Sequence, residues 1–133
     1  MKDPFKKLLA NVKLSSVAGA AGLRIDKNPK LSGRKRKGNQ STKRHKITIA
    51  IDDLKSQWKK QRGKCYWLGL TMSLDDLYIP HSPFAVSVDR LDSSGDYTPD
   101  NIVLTLRFSN KGRGSYDDLG FKRRMRKLIR EAY

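Results

Sequence analysis

The stretch from Val86 to Gly114, VSVDRLDSSGDYTPDNIVLTLRFSNKGRG, decides how this chain folds. Apolar residues alternate with small or polar ones from Phe84 to Asp89, and this period of two predicts a half-buried strand. Residues 93–100 are rich in loop formers, and a second alternation from Ile102 to Leu106 predicts another strand. A short helix over about residues 106–111 should follow and end at a glycine. The predicted order is therefore strand, loop, strand, helix.

Three segments of this region resemble, in the same order, the core of the HNH (ββα-metal, His-Me finger) endonucleases. They are SVDRLD at residues 87–92, DYTPDN at residues 96–101, and a final asparagine, Asn110. The similarity extends upstream through GKCYWLG at residues 63–69. It is greatest to the Asp-Arg variant subset that phages and mobile elements carry, often as homing endonucleases.

The resemblance implies a role for each of three polar side chains. Asp89 takes the place of the acidic metal ligand at the end of the first strand, and Asn110 takes the place of the ligand on the helix. Asn101 takes the place of the asparagine that holds the loop by hydrogen bonds to the backbone. One carboxylate and one amide oxygen are hard ligands, so we expect Mg²⁺, with Mn²⁺ as an alternative. The single cysteine, Cys65, argues against a structural zinc site.

Arg90 departs from the commonest HNH pattern, which has a histidine general base after the acidic ligand. Arginine stays charged and cannot take a proton from water. It can clamp the phosphate and neutralise charge that develops in the transition state. The base must then come from elsewhere, and the candidates are a metal-bound hydroxide or one of four side chains: His81, Tyr66, Tyr78 and Tyr97.

The charge of the chain is strongly positive and unevenly distributed. The 133 residues carry a net charge of +16, most of it within residues 1–46. Such a balance indicates a polyanionic partner, most commonly nucleic acid. We expect His45 to be a solvated neighbour of phosphates. The residues predicted to bind nucleic acid directly are Arg34, Lys35, Arg36, Lys37, Lys43, Arg44, Lys111 and Arg113.

The remaining pattern predicts the flanking elements. Residues 1–23 have a weak helical pattern, and residues 24–46 should form an extended basic arm. A helix from about Ile49 to Arg62 should have Thr48 as its N-cap and stop at Gly63. Residues 64–70 should form a turn and a short strand, and residues 71–83 a loop. A last amphipathic helix should begin at Ser115, with Asp118 completing a capping box.

These observations predict an α+β fold with a ββα-metal core at about residues 84–112 and flanking helices. The basic N-terminal arm, residues 1–46, should contact DNA, and residues 47–133 should form the nuclease domain. The function implied by the resemblance is metal-dependent hydrolysis of double-stranded DNA, and a homodimer is an open alternative to a monomer. The rival hypotheses are a non-catalytic nucleic-acid-binding protein on this scaffold and a ribosomal-protein-like RNA binder. We expect a cytoplasmic protein of a bacterium or phage-infected cell, neither secreted nor bound to a membrane.

Overall fold

A computed structural model of the protein describes residues 2–21, 45–116 and 120–132. Its helices and one small antiparallel sheet confirm the α+β class. Residues 22–44, which include most of the extended arm expected over residues 24–46, lie outside the described residues. Within the described residues, every helix is too short or too polar to cross a membrane. The elements in chain order are α1 (Pro4–Ala21), α2 (Ile51–Gln61), a 3₁₀ helix (Leu74–Tyr78), β1 (Val86–Arg90), β2 (Ile102–Leu106), α3 (Arg107–Arg113) and α4 (Phe121–Ala132).

The two strands pair antiparallel, with Val88 opposite Leu104 and Asp89 opposite Val103. The predicted order of strand, loop, strand and helix is confirmed. Helix α3 ends at Gly114, which adopts a positive φ of 58°. All five residues of β2 are buried, so both faces of this strand are covered. Alternation in the sequence marks the face with the larger apolar side chains but does not show what covers the opposite face.

The outer edge of β2 is closed by a side chain rather than by a third strand. The amide of Gln61, at the end of α2, donates from Nε2 to the Leu104 carbonyl (2.8 Å) and accepts the Leu104 N–H at Oε1 (2.9 Å). The backbone N–H of Tyr66 donates to the same carbonyl at 3.0 Å. These contacts satisfy backbone groups that an edge strand would otherwise expose. A two-stranded sheet can therefore persist within this small core.

Helix α1 packs on the core and is not part of an extended arm. Its Leu8 and Val12 are buried, and its Phe5 makes an edge-on contact with Trp58 of α2 at 6.2 Å between ring centroids. Residues 4–15 thus belong to the domain, although the sequence assigned them to the arm. At the other end of that segment, the Lys46 carbonyl accepts the Tyr97 N–H at 2.9 Å. Residues 45–48 are therefore held against the loop that joins β1 to β2.

Helix α2 begins later than predicted but ends where expected. Thr48 is not the N-cap: the helix starts after Ala50, whose N–H donates to Asp53 Oδ2 at 2.7 Å. The Thr48 hydroxyl instead donates to the Tyr97 carbonyl at 3.3 Å. The predicted stop at Gly63 is confirmed, since Arg62 and Gly63 both have left-handed backbone conformations.

Other flanking predictions were wrong in detail. Residues 64–70 form turns, with a single bridge between Lys64 and Thr71 in place of a short strand. The predicted loop over residues 71–83 contains the 3₁₀ helix. Helix α4 starts at Phe121 rather than Ser115, and Asp118 lies outside the described residues.

Two leucines of α1 test its place in the core. Leu8 is 1% exposed and Leu14 is 67% exposed. We expect Leu8→Ala to lower the free energy of unfolding by about 2–5 kcal/mol, the range for a buried leucine. Leu14→Ala, the matched control on the same helix, should change it by less than about 0.5 kcal/mol. Urea unfolding followed by circular dichroism measures both, and equal effects would contradict the packing of α1.

Candidate functional site

A polar cleft of about 650 Å³ lies between α1, β1, α3 and the turn at residues 79–81. Four of the five predicted catalytic residues line it: His81, Asp89, Arg90 and Asn110. The fifth, Asn101, does not. The basic side chains along the cleft are Lys7, Arg90, Arg107 and Lys111, and Asp89 is the only acid among the described residues that line it. The cleft therefore suits an anion better than a cation alone.

Asp89 lines this cleft and is only 6% exposed. Its Oδ1 accepts a hydrogen bond from Arg113 Nη1 at 3.0 Å, within a salt bridge, and its Oδ2 accepts one from the indole Nε1 of Trp67 at 2.8 Å. The Arg113 guanidinium also lies over the Trp67 ring, 4.7 Å from its centroid. Trp67 and Arg113 thus fix the orientation of the carboxylate from two sides.

Arg113 does not face nucleic acid, as the sequence predicted, because it is 4% exposed. Besides its salt bridge to Asp89, it donates from Nη1 to the Arg90 carbonyl (3.0 Å) and from Nη2 to the Leu91 carbonyl (2.7 Å). A buried guanidinium is stable only when paired and hydrogen-bonded in this way. Its role is to fasten the end of α3 to the end of β1. Lys111, by contrast, is exposed, as a residue that contacts nucleic acid must be.

Asn110 lies one helical turn before Arg113 and packs against the same strand. Its Nδ2 donates to the Ser87 hydroxyl at 2.8 Å and to the Val88 carbonyl at 3.2 Å. A carbonyl only accepts, so the contact with Val88 fixes which end of the amide faces the strand. The Oδ1 atom is then the group that Asn110 can offer to a ligand.

Arg90 contacts the loop between the strands. Its Nη1 donates to the carbonyls of Ser93 and Gly95 and lies 2.9 Å from the ring nitrogens of His45. Since arginine has no acceptor, a ring nitrogen of His45 accepts this hydrogen bond. Among the described residues, no hydrogen bond from Arg90 Nε or Nη2 is found. The Nη1 group of Arg90 therefore holds the loop, while its Nε and Nη2 groups can donate to an anion in the cleft.

Asn101 holds the same loop from its other end. Its Oδ1 accepts the Asp92 N–H at 2.9 Å, and its Nδ2 donates to the carbonyls of Asp92 (3.1 Å) and Asp96 (3.0 Å). The fit is close, because a Cβ on Gly95 would lie 2.8 Å from Asn101 Nδ2. Asn101 has the loop-holding contacts expected for it and acts at a distance from the cleft.

His81 is exposed at the mouth of the cleft and has a positive φ of 61°. Non-glycine residues seldom adopt this conformation, which here turns the chain just before Ser82. The other base candidates differ in position. Tyr97 lines the cleft, whereas Tyr66 and Tyr78 are not among its lining residues. Among the four side chains considered as the general base, His81 and Tyr97 are therefore the two that line the cleft.

The donor set fits a hard cation only sparsely. In the described part of the chain, no three residues among His, Cys, Asp and Glu come together as a metal site. Each Asp89 oxygen accepts one hydrogen bond from a side chain, and a carboxylate has about four acceptor positions. Asp89 and the Asn110 Oδ1 thus offer two oxygen donors, which suits Mg²⁺ that keeps most of its water. They do not suit zinc, which prefers nitrogen and sulfur.

The sequence did not reveal the residues that hold the side chains of the cleft in position. Arg113 was assigned to the DNA surface and His45 to a solvated arm, whereas both contact residues at the cleft. The spacing of Asn110 and Arg113 was an available signal, because residues three apart share a helix face. Trp67 lies within the segment GKCYWLG at residues 63–69, but the resemblance to the HNH nucleases implied no role for it.

Comparisons of this chain with known proteins found no similar family, protein or structure. No protein-family model matches the chain, and neither a curated protein nor a solved structure matches it. The likeness to the HNH nucleases therefore stays a hypothesis that rests on the residues described above.

The ionisation of Asp89 gives a test of its environment. Burial raises the pKa of Asp89 above its usual value of 3.8, although the Trp67 hydrogen bond and the Arg113 charge oppose this rise. The folded state thus binds this proton more tightly than the unfolded state. The contribution of Asp89 to stability is full below pH 3.8 and is lost as the pH rises through the folded-state pKa.

We expect this loss in the difference between the wild-type protein and Asp89→Asn, which keeps the side-chain shape and does not titrate. The measurement is urea unfolding in EDTA at steps from about pH 3 to pH 7. The free energy of unfolding of the wild type minus that of the variant should fall with rising pH. A difference that rises with pH would mean that Arg113 and Trp67 outweigh burial.

Proposed function

We propose that the protein is a metal-dependent DNA endonuclease of the HNH type, of the kind that phages and mobile elements use in homing. One observation carries the proposal: Asp89 and Asn110, from β1 and α3, line one cleft that is otherwise basic. The strand, strand and helix that hold them follow the order of a ββα-metal core. The loop-holding contacts of Asn101 add support, since they match the role that the family pattern assigns to this residue.

In this proposal Asp89 and Asn110 would hold one Mg²⁺ ion through oxygen atoms. A bound Mg²⁺ would polarise the phosphate and stabilise the leaving 3′ oxygen. The protein supplies the rest. Trp67 and Arg113 keep the Asp89 carboxylate in one orientation, and a fixed orientation lowers the cost of binding. Arg90 neutralises negative charge on the phosphate, and His81 or Tyr97 accepts a proton from the attacking water.

The basic groups of the cleft position the substrate. Lys7 of α1 and Arg107 and Lys111 of α3 lie on two sides of it, so phosphates of one strand can be held while the scissile one faces Asp89. Such contacts attract DNA without regard to sequence. Asp89 and Asn110 would provide only two oxygens to Mg²⁺, so substrate phosphate would supply further oxygen ligands.

A second candidate is a non-catalytic nucleic-acid-binding protein on the same scaffold. The observation that favours it is the engagement of both Asp89 oxygens by Trp67 and Arg113. A carboxylate held in this way stabilises the fold without any metal. The two candidates agree on the ligand and differ only in whether a metal binds and a phosphodiester bond breaks.

Nicking of supercoiled plasmid with Mg²⁺ or EDTA separates the two candidates. We expect cleavage only with the metal, and Asp89→Asn should abolish it while leaving DNA binding nearly intact. Asn110→Ala should be severely impaired, and Asn110→His should keep part of the activity because imidazole is also a metal ligand.

The matched control is Asp100→Asn, the same change at an exposed carboxylate that does not line the cleft. It should cleave like the wild type. Thermal unfolding of each variant shows whether lost cleavage reflects lost structure. Wild-type nicking by Asp89→Asn would refute the metal site, and absence of nicking by the wild-type protein would favour the non-catalytic candidate.

The basic arm should contribute binding that is independent of sequence. We expect glutamine substitutions of six arm residues to weaken binding equally on unrelated duplexes. The slope of log K against log salt should become shallower by about 0.9 for each phosphate that the variant no longer neutralises. Fluorescence anisotropy over a salt series measures this, and an unchanged slope would exclude phosphate binding by the arm. The six residues are Arg34, Lys35, Arg36, Lys37, Lys43 and Arg44.

A further inference from the structure

Two aromatic side chains are exposed side by side next to the cleft. Phe84, just before β1, is 55% exposed, and Phe108, in the first turn of α3, is 41% exposed. Their rings meet edge to face, with centroids 6.2 Å apart and planes at 78°. Single exposed apolar residues are ordinary on protein surfaces. A contacting pair of phenylalanines is different, because it forms one continuous apolar surface in water.

The backbone holds this aromatic pair in place. The Phe108 N–H donates to the Pro83 carbonyl at 3.0 Å, and the Phe84 N–H donates to the Ser82 hydroxyl at 3.2 Å. Ser82 is itself buried. The turn before β1 and the start of α3 are thereby tied together beneath the two rings. A ligand that meets these rings does not have to order them first.

The surroundings of the pair are positively charged. Arg107 precedes Phe108, and Lys111 lies one helical turn after it, so that Phe108 and Lys111 share a face of α3. Both cations line the cleft. The two segments that carry the rings, residues 79–88 and 107–116, contain no acidic residue. An apolar surface with Arg107 and Lys111 beside it suits a partner that combines flat apolar groups with negative charge.

We propose that Phe84 and Phe108 form a platform on which an unpaired nucleobase stacks, while Arg107 and Lys111 hold the adjoining phosphates. The inference rests on the nucleic-acid partner of the proposed function and names the form of that partner. A nucleobase has a flat apolar face, and its neighbouring phosphates supply the negative charge. In an intact duplex the faces of bases are covered by their neighbours. The platform therefore selects single-stranded, frayed or kinked DNA at the cleft.

Binding of oligonucleotides in EDTA tests the platform without any cleavage. One probe is a single-stranded DNA of mixed sequence, and the other is an abasic strand with the same number of phosphates. We expect the wild-type protein to bind the strand with bases more tightly, by about 5-fold to 100-fold, the range for stacking of one base. The Phe84→Ala/Phe108→Ala double variant should lose this preference but keep its affinity for the abasic strand.

Further variants separate stacking from other apolar contacts. Phe84→Leu/Phe108→Leu keeps apolar area but lacks flat rings, so it should also lose most of the preference. Leu128→Ala removes an exposed apolar residue of α4, and this variant should still prefer the strand with bases. A strand with 2-aminopurine in place of adenine should show fluorescence quenching with the wild type and not with the double variants. Phe84→Ala alone, at the more exposed ring, repeats the test if Phe108→Ala disturbs α3.

Three results would overturn the platform. Equal binding of both strands by the wild type would show phosphate contacts only and leave the nucleic-acid partner standing. Failure to bind either strand would also overturn the platform, and a duplex of the same sequence, measured alongside, shows whether the nucleic-acid partner is lost with it. In sedimentation, a wild-type dimer that the double alanine variant abolishes would assign the two rings to contact between copies of the chain.

Discussion

The buried salt bridge between Asp89 and Arg113 is the interaction on which the arrangement of the site depends. It joins β1 to the end of α3, and Trp67 contacts both partners. Replacing Arg113 by a residue without a guanidinium would remove its hydrogen bonds to Asp89 and to the carbonyls of Arg90 and Leu91, and with them the attachment of α3 to β1. Helix α3 has only seven residues, too few to be stable alone. Its position therefore depends on Arg113 and on the contacts of Asn110 with β1.

The same salt bridge sets what the cleft can bind. Arg113 already balances the charge of Asp89, so a cation at this carboxylate gains less from it than it would from an unpaired one. The cleft around Asp89 is also lined by four cationic side chains, which repel a free cation: Lys7, Arg90, Arg107 and Lys111. A metal with its own anionic ligand meets no such obstacle. In the proposed nuclease, metal and DNA phosphate would consequently bind together, and the metal alone would bind weakly.

The sequence was informative where a residue's own pattern determines its place. The alternation before Asp89 and after Asn101 predicted both strands, and Gly63 marked the end of α2. The sequence was uninformative where the burial of a residue depends on contacts with residues distant along the chain. Arg113 is charged, and charged residues are seldom buried unless paired, so its burial follows from Asp89 and Trp67 rather than from any local signal. The weak apolar stripe of α1 likewise gave no sign of the surfaces that cover it.

The loop between the strands links the cleft to the N-terminal arm. Asn101 holds the loop from one end and Arg90 from the other. Arg90 also contacts His45, where the described chain resumes after the basic segment. This end of the arm is thus fixed beside a residue of the cleft. In the proposed nuclease, a phosphate bound by basic residues next to His45 would stay near the cleft, which would raise the effective concentration of the same strand there. Arm and cleft would then act on one nucleic acid molecule, and the general affinity of the arm would serve the narrower chemistry at Asp89.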